Sequence, residues 1–222
     1  MKRNIDINEI SDGRLYGLND MVKAGCDDCK GCSDCCHGMG ASIILDPLDI
    51  YRLQVGTGLD FTGLLNQYLE LNVVDGIILP NLKLAGEQEA CLFLNNQGRC
   101  SIHNYRPGIC RLFPLGRIYE DRQVKYFLQI YECSKENRSK IKVKKWLDIP
   151  ESKKYEDYII DWHYFLNDVE ELLQKKAAEE EFCKNCNMFL LNIFYLTPYN
   201  TAQDFYLQFY HRFQEVKYAL FG

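Results

Sequence analysis

The chain has 222 residues, a formal net charge of -5 and eleven cysteines. A chain of this length can fold without crosslinks, and cysteine at about 5% lies below the roughly 8–10% of small disulfide scaffolds. The N-terminal residues MKRNIDINEI lack the apolar stretch of a secretory signal. We therefore expect a cytoplasmic protein whose clustered cysteines bind metal or do redox work rather than form disulfides.

Charge and hydropathy restrict the classes of partner. A net negative charge argues against nucleic acid, since phosphate binding needs a basic surface. The longest apolar stretch, residues 188–196, is interrupted by Asn192 and is far shorter than the roughly 20 residues that cross a bilayer, so no membrane association is expected. Residues 135–145 carry six Lys and Arg residues and one acid. This basic segment fits either a docking face for another protein or a solvated strand or loop.

The first 134 residues have the pattern of short elements joined by turns. Asp46 and Pro47 suit the N-cap and first position of a helix, and Asp60 suits a second N-cap. Apolar runs around Asp75-Gly76 indicate a hairpin. In chain order we predict a strand over 41–46, helices over 48–55 and 61–71, a hairpin over 72–84 and a strand over 122–131.

From Tyr155 onward, apolar side chains recur at helical spacing. The pattern predicts a long helix beginning near residue 155, a second over 181–196 and a third over 201–220, with Thr201 as its N-cap and Ala202 facing inward. The expected fold class is α+β. A cysteine-rich metal-binding lobe of short strands and helices, residues 1–134, should pack against a C-terminal three-helix segment, residues 135–222, as one unit.

Five cysteines lie within eleven residues near the N-terminus: Cys26, Cys29, Cys32, Cys35 and Cys36. A C-x2-C unit lets two thiolates converge on one metal, zinc or iron. From Cys26 to Cys36 the run also contains C-x2-C-x2-C-x3-C, the spacing of bacterial ferredoxins. The adjacent pair Cys35 and Cys36 should point in different directions, so the two thiols can serve different metals or a shared cluster.

A second group of cysteines follows in turn-rich sequence: Cys91, Cys100, Cys110 and Cys133. With the last four cysteines of the first run they make eight thiols, the number for two four-cysteine sites that draw ligands from both groups. Four arginines lie near them and either offset the negative charge of the thiolates or make surface ion pairs: Arg99, Arg106, Arg111 and Arg117.

Other candidate ligands are less specific. Cys183-x2-Cys186 lies on a predicted helix, where it could extend the metal sites, form a redox pair or be buried. His37 and His103 are near the cysteine groups and could bind metal or hydrogen-bond to sulfur, whereas His163 on a predicted helix fits an ordinary interior or surface histidine.

Two segments resemble the bacterial CxxCxxCC family, a zinc- or iron-chelating domain: Cys29-x2-Cys32-x2-Cys35-Cys36, and ACLFLNNQGRCSIHNYRPGICRLFP over residues 90–114. The family motif C-x-[FI]-[HY]-x-x-R-P-x-x-C-R-x-[FY]-P is matched from Cys100 to Pro114, and the resemblance covers roughly residues 26–134. It implies eight metal ligands: Cys29, Cys32, Cys35, Cys36, Cys91, Cys100, Cys110 and Cys133. Within the motif, Arg106 and Arg111 are the arginines expected beside the bound cofactor. Cys26 lies outside the family pattern and is a possible additional ligand.

Three functions fit these features. Iron-sulfur clusters, of the 4Fe-4S type, on two four-cysteine sites with a redox, cluster-handling or accessory role are favoured by the ferredoxin-like spacing. A structural-zinc module that binds another protein is the alternative. The domain also resembles flagellin lysine N-methylases, which implies a protein-modifying enzyme, although no glycine-rich fingerprint for a methyl donor is found. No Ser/His/Asp grouping or paired carboxylates stand out, so no catalytic residue is assigned.

Overall fold

The computed structural model describes residues 6–26, 32–135 and 137–222. The helices, in chain order, are α1 (Ile7–Ile10), α2 (Pro47–Thr57), α3 (Phe61–Gln67), α4 (Gly108–Leu112), α5 (Val143–Leu147), α6 (Ser152–Lys175), α7 (Glu180–Leu191) and α8 (Phe205–Phe221). The strands are β1 (Met21–Gly25), β2 (Leu69–Val74), β3 (Ile77–Leu82), β4 (Leu84–Ala85), β5 (Ala90–Cys91), β6 (Leu115–Glu120), β7 (Gln123–Leu128) and β8 (Ser139–Lys142).

In the described part of the chain, each sheet consists of two antiparallel strands. Three sheets pair neighbouring strands, β2 with β3, β4 with β5 and β6 with β7. The fourth joins β1 to β8 from distant parts of the chain. The predicted α+β class is confirmed, with the cysteine-rich region built from short elements and the C-terminal part from helices.

The predicted helix starts in the first half are confirmed. Asp46 caps α2 because its carboxylate accepts a hydrogen bond from the Asp49 N–H at 2.9 Å, and the Asp49 carboxylate accepts one from the Asp46 N–H at 3.1 Å. This reciprocal arrangement satisfies two backbone donors that the helix leaves unpaired. Asp60 caps α3 through the Gly63 N–H at 2.7 Å.

Other predictions for this half were wrong in extent. Over residues 41–46 only Ile44 forms a bridge, to Asn81, and residues 40–42 form a 3-10 turn. The helix predicted to reach residue 71 ends at Gln67, because Leu69 and the residues after it pair with β3. Strand β6 was not predicted, and it pairs along its whole length with the predicted strand β7.

In the C-terminal part, the long helix is confirmed as α6, and the second helix is confirmed as α7, which continues as a π-helical turn over Asn192–Leu196. The prediction for the third helix start was wrong. Asp204, not Thr201, caps α8, and its side chain accepts from the Leu207 N–H at 2.9 Å. Ala202 is exposed and lies before the helix, because a loop bonded to Gln208 occupies residues 200–204.

The core is continuous from the cysteine-bearing elements to the C-terminal helices. Tyr195, after α7, donates through its hydroxyl to the Leu45 carbonyl at 3.2 Å, and the Tyr158 hydroxyl on α6 accepts from the Leu48 N–H at 3.1 Å. These bonds join the helices to the start of α2. The division into 1–134 and 135–222 stays a prediction.

The basic segment forms β8 and α5. Its lysines at 140, 142, 144 and 145 are exposed, while Val143, Trp146 and Leu147 are buried. The Trp146 ring N–H donates to the Leu112 carbonyl at 3.2 Å, so this segment also supports the end of α4.

No helix in residues 6–26, 32–135 and 137–222 combines the length and apolar character needed to cross a membrane.

Candidate metal centre

Thiols from distant parts of the chain line one cavity of about 60 Å³. Six of the predicted ligands contribute to its wall: Cys32, Cys35, Cys36, Cys91, Cys100 and Cys110. None of the ten described cysteines is in a disulfide. The remaining wall is apolar or basic, with Phe93, Trp146, Arg99 and Arg106 among its residues. The structure thus brings the first cysteine run and most of the second group together.

Short backbone pairings bring these thiols together. Cys36 ends a 3-10 turn over Asp34–Cys36, and the next residue, His37, bridges to Ala90 beside Cys91. Leu94 bridges to Cys100 across the turn at residues 95–99. Cys110 enters the cavity from the middle of α4. Short turns and bridges therefore position Cys36, Cys91 and Cys100, and a five-residue helix positions Cys110.

Asp49 holds the segment that carries Cys110. Its carboxylate accepts from the Gly108 N–H at 2.7 Å, and the side chain is only 4% exposed. Burial and the charge of Asp46 raise the pKa of Asp49 to about 7. A Cβ on Gly108 would lie 2.8 Å from the Tyr155 hydroxyl, so the position has no room for a side chain. The sequence signalled Asp49 only as the third residue after the helix cap.

Arg111, one of the two arginines expected beside the cofactor, does not line the cavity. Its buried guanidinium donates to the backbone carbonyls of Asn104, Arg106 at 3.2 Å and Asp148 at 2.8 Å. Burial lowers the pKa of Arg111 to about 10. Through these three carbonyl contacts, Arg111 stabilises the loop before α4 rather than contacting the cavity.

Arg106, the other expected arginine, does line the cavity. Its Nη1 contacts the His103 Nε2 at 2.9 Å, while its Nε is buried with no hydrogen-bond partner among the described residues. A buried donor without a partner costs on the order of 1–3 kcal/mol. An anionic sulfur group bound in the cavity would accept from it, so this nitrogen fits a negatively charged occupant.

The thiols of the cavity perturb one another. The Cys36 thiol donates a hydrogen bond to Cys35, which lowers the pKa of Cys35 to about 7 and raises the pKa of Cys36. Burial raises the pKa of Cys110, Cys91 and Cys100, and neighbouring thiols add to the rise. The raised pKa values keep these thiols protonated without a ligand, so binding of a metal cation would release protons from them.

Cys26 and Cys133 lie outside this cavity wall. The Cys133 sulfur accepts from the Lys135 N–H, burial raises the pKa of Cys133, and the charges of Cys26 and Cys32 raise it further. Cys133 is therefore grouped with Cys26 and Cys32 rather than with Cys110. The predicted ligand Cys29 lies outside the described residues.

Among the residues that the structure describes, no three His, Cys, Asp or Glu side chains are already arranged to hold one ion. The cysteines line one cavity, and the charge of each affects the pKa of its neighbours. Metal bonds to sulfur of about 2.3 Å would require the sulfur atoms to move closer together. Metal binding and local folding are thus coupled here.

The remaining candidates lie elsewhere. Cys183 donates from α7 to the Lys176 carbonyl at 3.4 Å, and Cys186 is 4% exposed. Neither lines the cavity, and Arg117 lies outside its wall as well. His163 stacks on Tyr119 with ring centroids 4.0 Å apart.

One protein-family model matches the chain over residues 28–142, more than half of its length. The family is CxxCxxCC, described as a "putative zinc- or iron-chelating domain". No curated protein and no solved structure matches the chain.

Proposed function

Because the chain belongs to the CxxCxxCC family of zinc- or iron-chelating domains, we propose that it carries iron-sulfur clusters of the 4Fe-4S type on two four-cysteine sites. The observation that supports this most directly is the cavity lined by six thiols and by the unpartnered Nε of Arg106. Four thiolates hold such a cluster, and guanidinium groups beside it donate to sulfur and tune its reduction potential.

The size of the cavity favours a cluster over a single ion. One water needs about 10–15 Å³ of such space, and the cavity offers about 60 Å³. A zinc ion bonded directly to four sulfurs at about 2.3 Å needs no space beyond the ion itself. The apolar residues Phe93 and Ile102 of the same wall would keep water from the inner face of the group.

The role we propose is redox, cluster-handling or accessory work in the cytoplasm. The six cavity cysteines are half-buried rather than enclosed, so a protein partner could approach a bound cluster closely. A reducing compartment suits an arrangement in which none of the described cysteines forms a disulfide.

The experiment is anaerobic purification of the full chain, followed by iron, sulfide and zinc analysis, an absorption spectrum and electron paramagnetic resonance of the reduced protein. We expect a brown protein with iron and sulfide for two clusters. Cys110→Ser should lose the cavity cluster, whereas Cys183→Ser, on the distant helix α7, should retain both. A colourless chain with two zinc ions and no iron would contradict the iron assignment.

A colourless chain with two zinc ions would support the structural-zinc alternative. Two closed four-thiolate zinc sites would staple the turn-rich segments without redox chemistry. The same purification therefore decides between the two metals.

A further inference from the structure

The end of the β1–β8 sheet brings together cysteines that are far apart in sequence. Gly25 pairs with Ser139 at this end. Cys26 follows β1 directly, and Cys133 lies in the segment that leads into β8. Because the strands are antiparallel, the residue after β1 and the residues before β8 leave the sheet at the same end. Cys26 is half-buried there against the core.

A second tie holds Cys133 against the first cysteine run. The Ser134 hydroxyl donates to the Asp34 carboxylate. Ser134 is next to Cys133, and Asp34 lies between Cys32 and Cys35 in the chain. The strand pairing and this hydrogen bond together hold Cys133 close enough to Cys26 and Cys32 for the charges of both to act on its thiol.

An arginine also lies near this group, as Arg106 does at the cavity. Arg138 lies one residue before β8, and its charge acts on the Cys133 thiol. Its Nη1 is buried and has no hydrogen-bond partner within the described ranges. Arg106 and Arg138 thus each have a buried guanidinium nitrogen without a described partner, Arg106 in the cavity wall and Arg138 near enough to Cys133 for its charge to act on that thiol. Two anionic sites would each use such a donor.

We propose that Cys26, which lies outside the family match, is a metal ligand at a second site with Cys32 and Cys133, and that Arg138 donates to the thiolates or cluster bound there. The inference rests on the proposed function, since it allocates ligands to one of its two sites. Each ligating thiol gives up its proton to solvent when the metal binds. Without Cys32 the cavity wall still has five thiols, of which four are enough for the first site.

The test compares Cys26→Ser with Cys183→Ser, both purified anaerobically beside the wild-type chain. We expect Cys26→Ser to hold about half of the wild-type metal and to lose one of two spectroscopic signals, with Cys183→Ser unchanged. Full metal in Cys26→Ser would overturn the inference while leaving the proposed function intact. Two zinc ions in the wild type and one in Cys26→Ser would support Cys26 as a ligand and contradict the proposed iron-sulfur clusters. A wild-type chain without metal would overturn both.

A labelling experiment covers the case in which Cys26→Ser fails to fold. The wild-type chain is treated with iodoacetamide before and after removal of its metal, and the modified cysteines are identified by mass spectrometry. Cys26 should be protected in the loaded protein and should react once metal is removed, in parallel with Cys133. Modification of Cys26 with the metal content unchanged would overturn the inference. Arg138→Gln should shift only the spectroscopic signal that Cys26→Ser removes; a shift of the other signal would assign Arg138 to the cavity.

Discussion

The cysteine-bearing segment over residues 84–112 and the packing of helices α6 and α8 are stabilised in different ways. The first has strands of two residues, a 3-10 turn and a five-residue helix. The second buries a cluster of rings, in which Phe209 lies 4.7 Å from Tyr158 and 5.3 Å from Phe213, centroid to centroid. Ring burial needs no ligand, whereas short turns bury little apolar surface. The cysteine segment is therefore the part whose order should depend on metal.

Removal of metal should produce the largest difference between the two regions. Ligation contributes on the order of 10 kcal/mol to the folding of small cysteine domains. We expect that stripping the protein with a chelator abolishes amide hydrogen-exchange protection around Cys91, Cys100 and Cys110, while α6 and α8 stay protected. Equal loss of protection in both regions would show that the helices depend on the metal as well.

Truncation of Phe209 should lower the stability of the helical packing and leave metal binding unchanged. Its side chain is fully buried, so Phe209→Ala should lower the free energy of unfolding by about 3–5 kcal/mol, measured by denaturant titration. Metal content per folded chain should not change. Tyr218→Ala on the same helix, at a side chain that is 80% exposed, is the matched control and should change stability by no more than about 0.5 kcal/mol. Metal loss in folded Phe209→Ala would argue against independent stabilisation.

Asp49 on α2 bonds to the cysteine-bearing segment through the Gly108 N–H, so its replacement should have a smaller and more local effect than loss of metal or of Phe209. Asp49→Ala leaves the buried Gly108 N–H without its acceptor, at a cost of about 1–3 kcal/mol. Because Cys110 is on the same short helix, the variant should also release metal to a competing chelator faster than the wild type.

The matched control for Asp49 is Asp60→Ala. Asp60 also accepts from a glycine N–H at a helix start, but in an exposed position. Asp60→Ala should lower the free energy of unfolding by about 0.5–2 kcal/mol without changing metal release. If both variants release metal at the same rate, Asp49 does not position Cys110.

Local chemistry explains which elements could be predicted. Asp46 and Asp60 cap their helices as expected, because the cap and the donors it satisfies are within three residues. At α8 two candidate caps lie three residues apart, and bonds from Gln208 to Asn200 and Asp204 set the start of the helix. Helical propensity does not contain that information. Strand β6 was missed for a related reason, since its pairing with β7 defines it.

The same distinction holds for the candidate site. The spacing of the cysteines identified the class of site, and the family match confirms a zinc- or iron-chelating domain. Of the two arginines of the family motif, Arg106 lines the cavity, whereas Arg111 does not and bonds to backbone carbonyls instead. Arg138, in the basic segment, carried no signal of its own beyond charge.

By itself, the sequence determined that this is an α+β chelating domain with a helical C-terminal part, because ligand chemistry and hydrophobic periodicity are properties of neighbouring residues. Only the tertiary structure decided which thiols are neighbours. Cys133 comes near enough to Cys26 and Cys32 for their charges to act on its thiol, because β8 pairs with β1 and Ser134 bonds to Asp34. Such contacts close long loops of the chain, and no local pattern in the sequence records which loop ends meet.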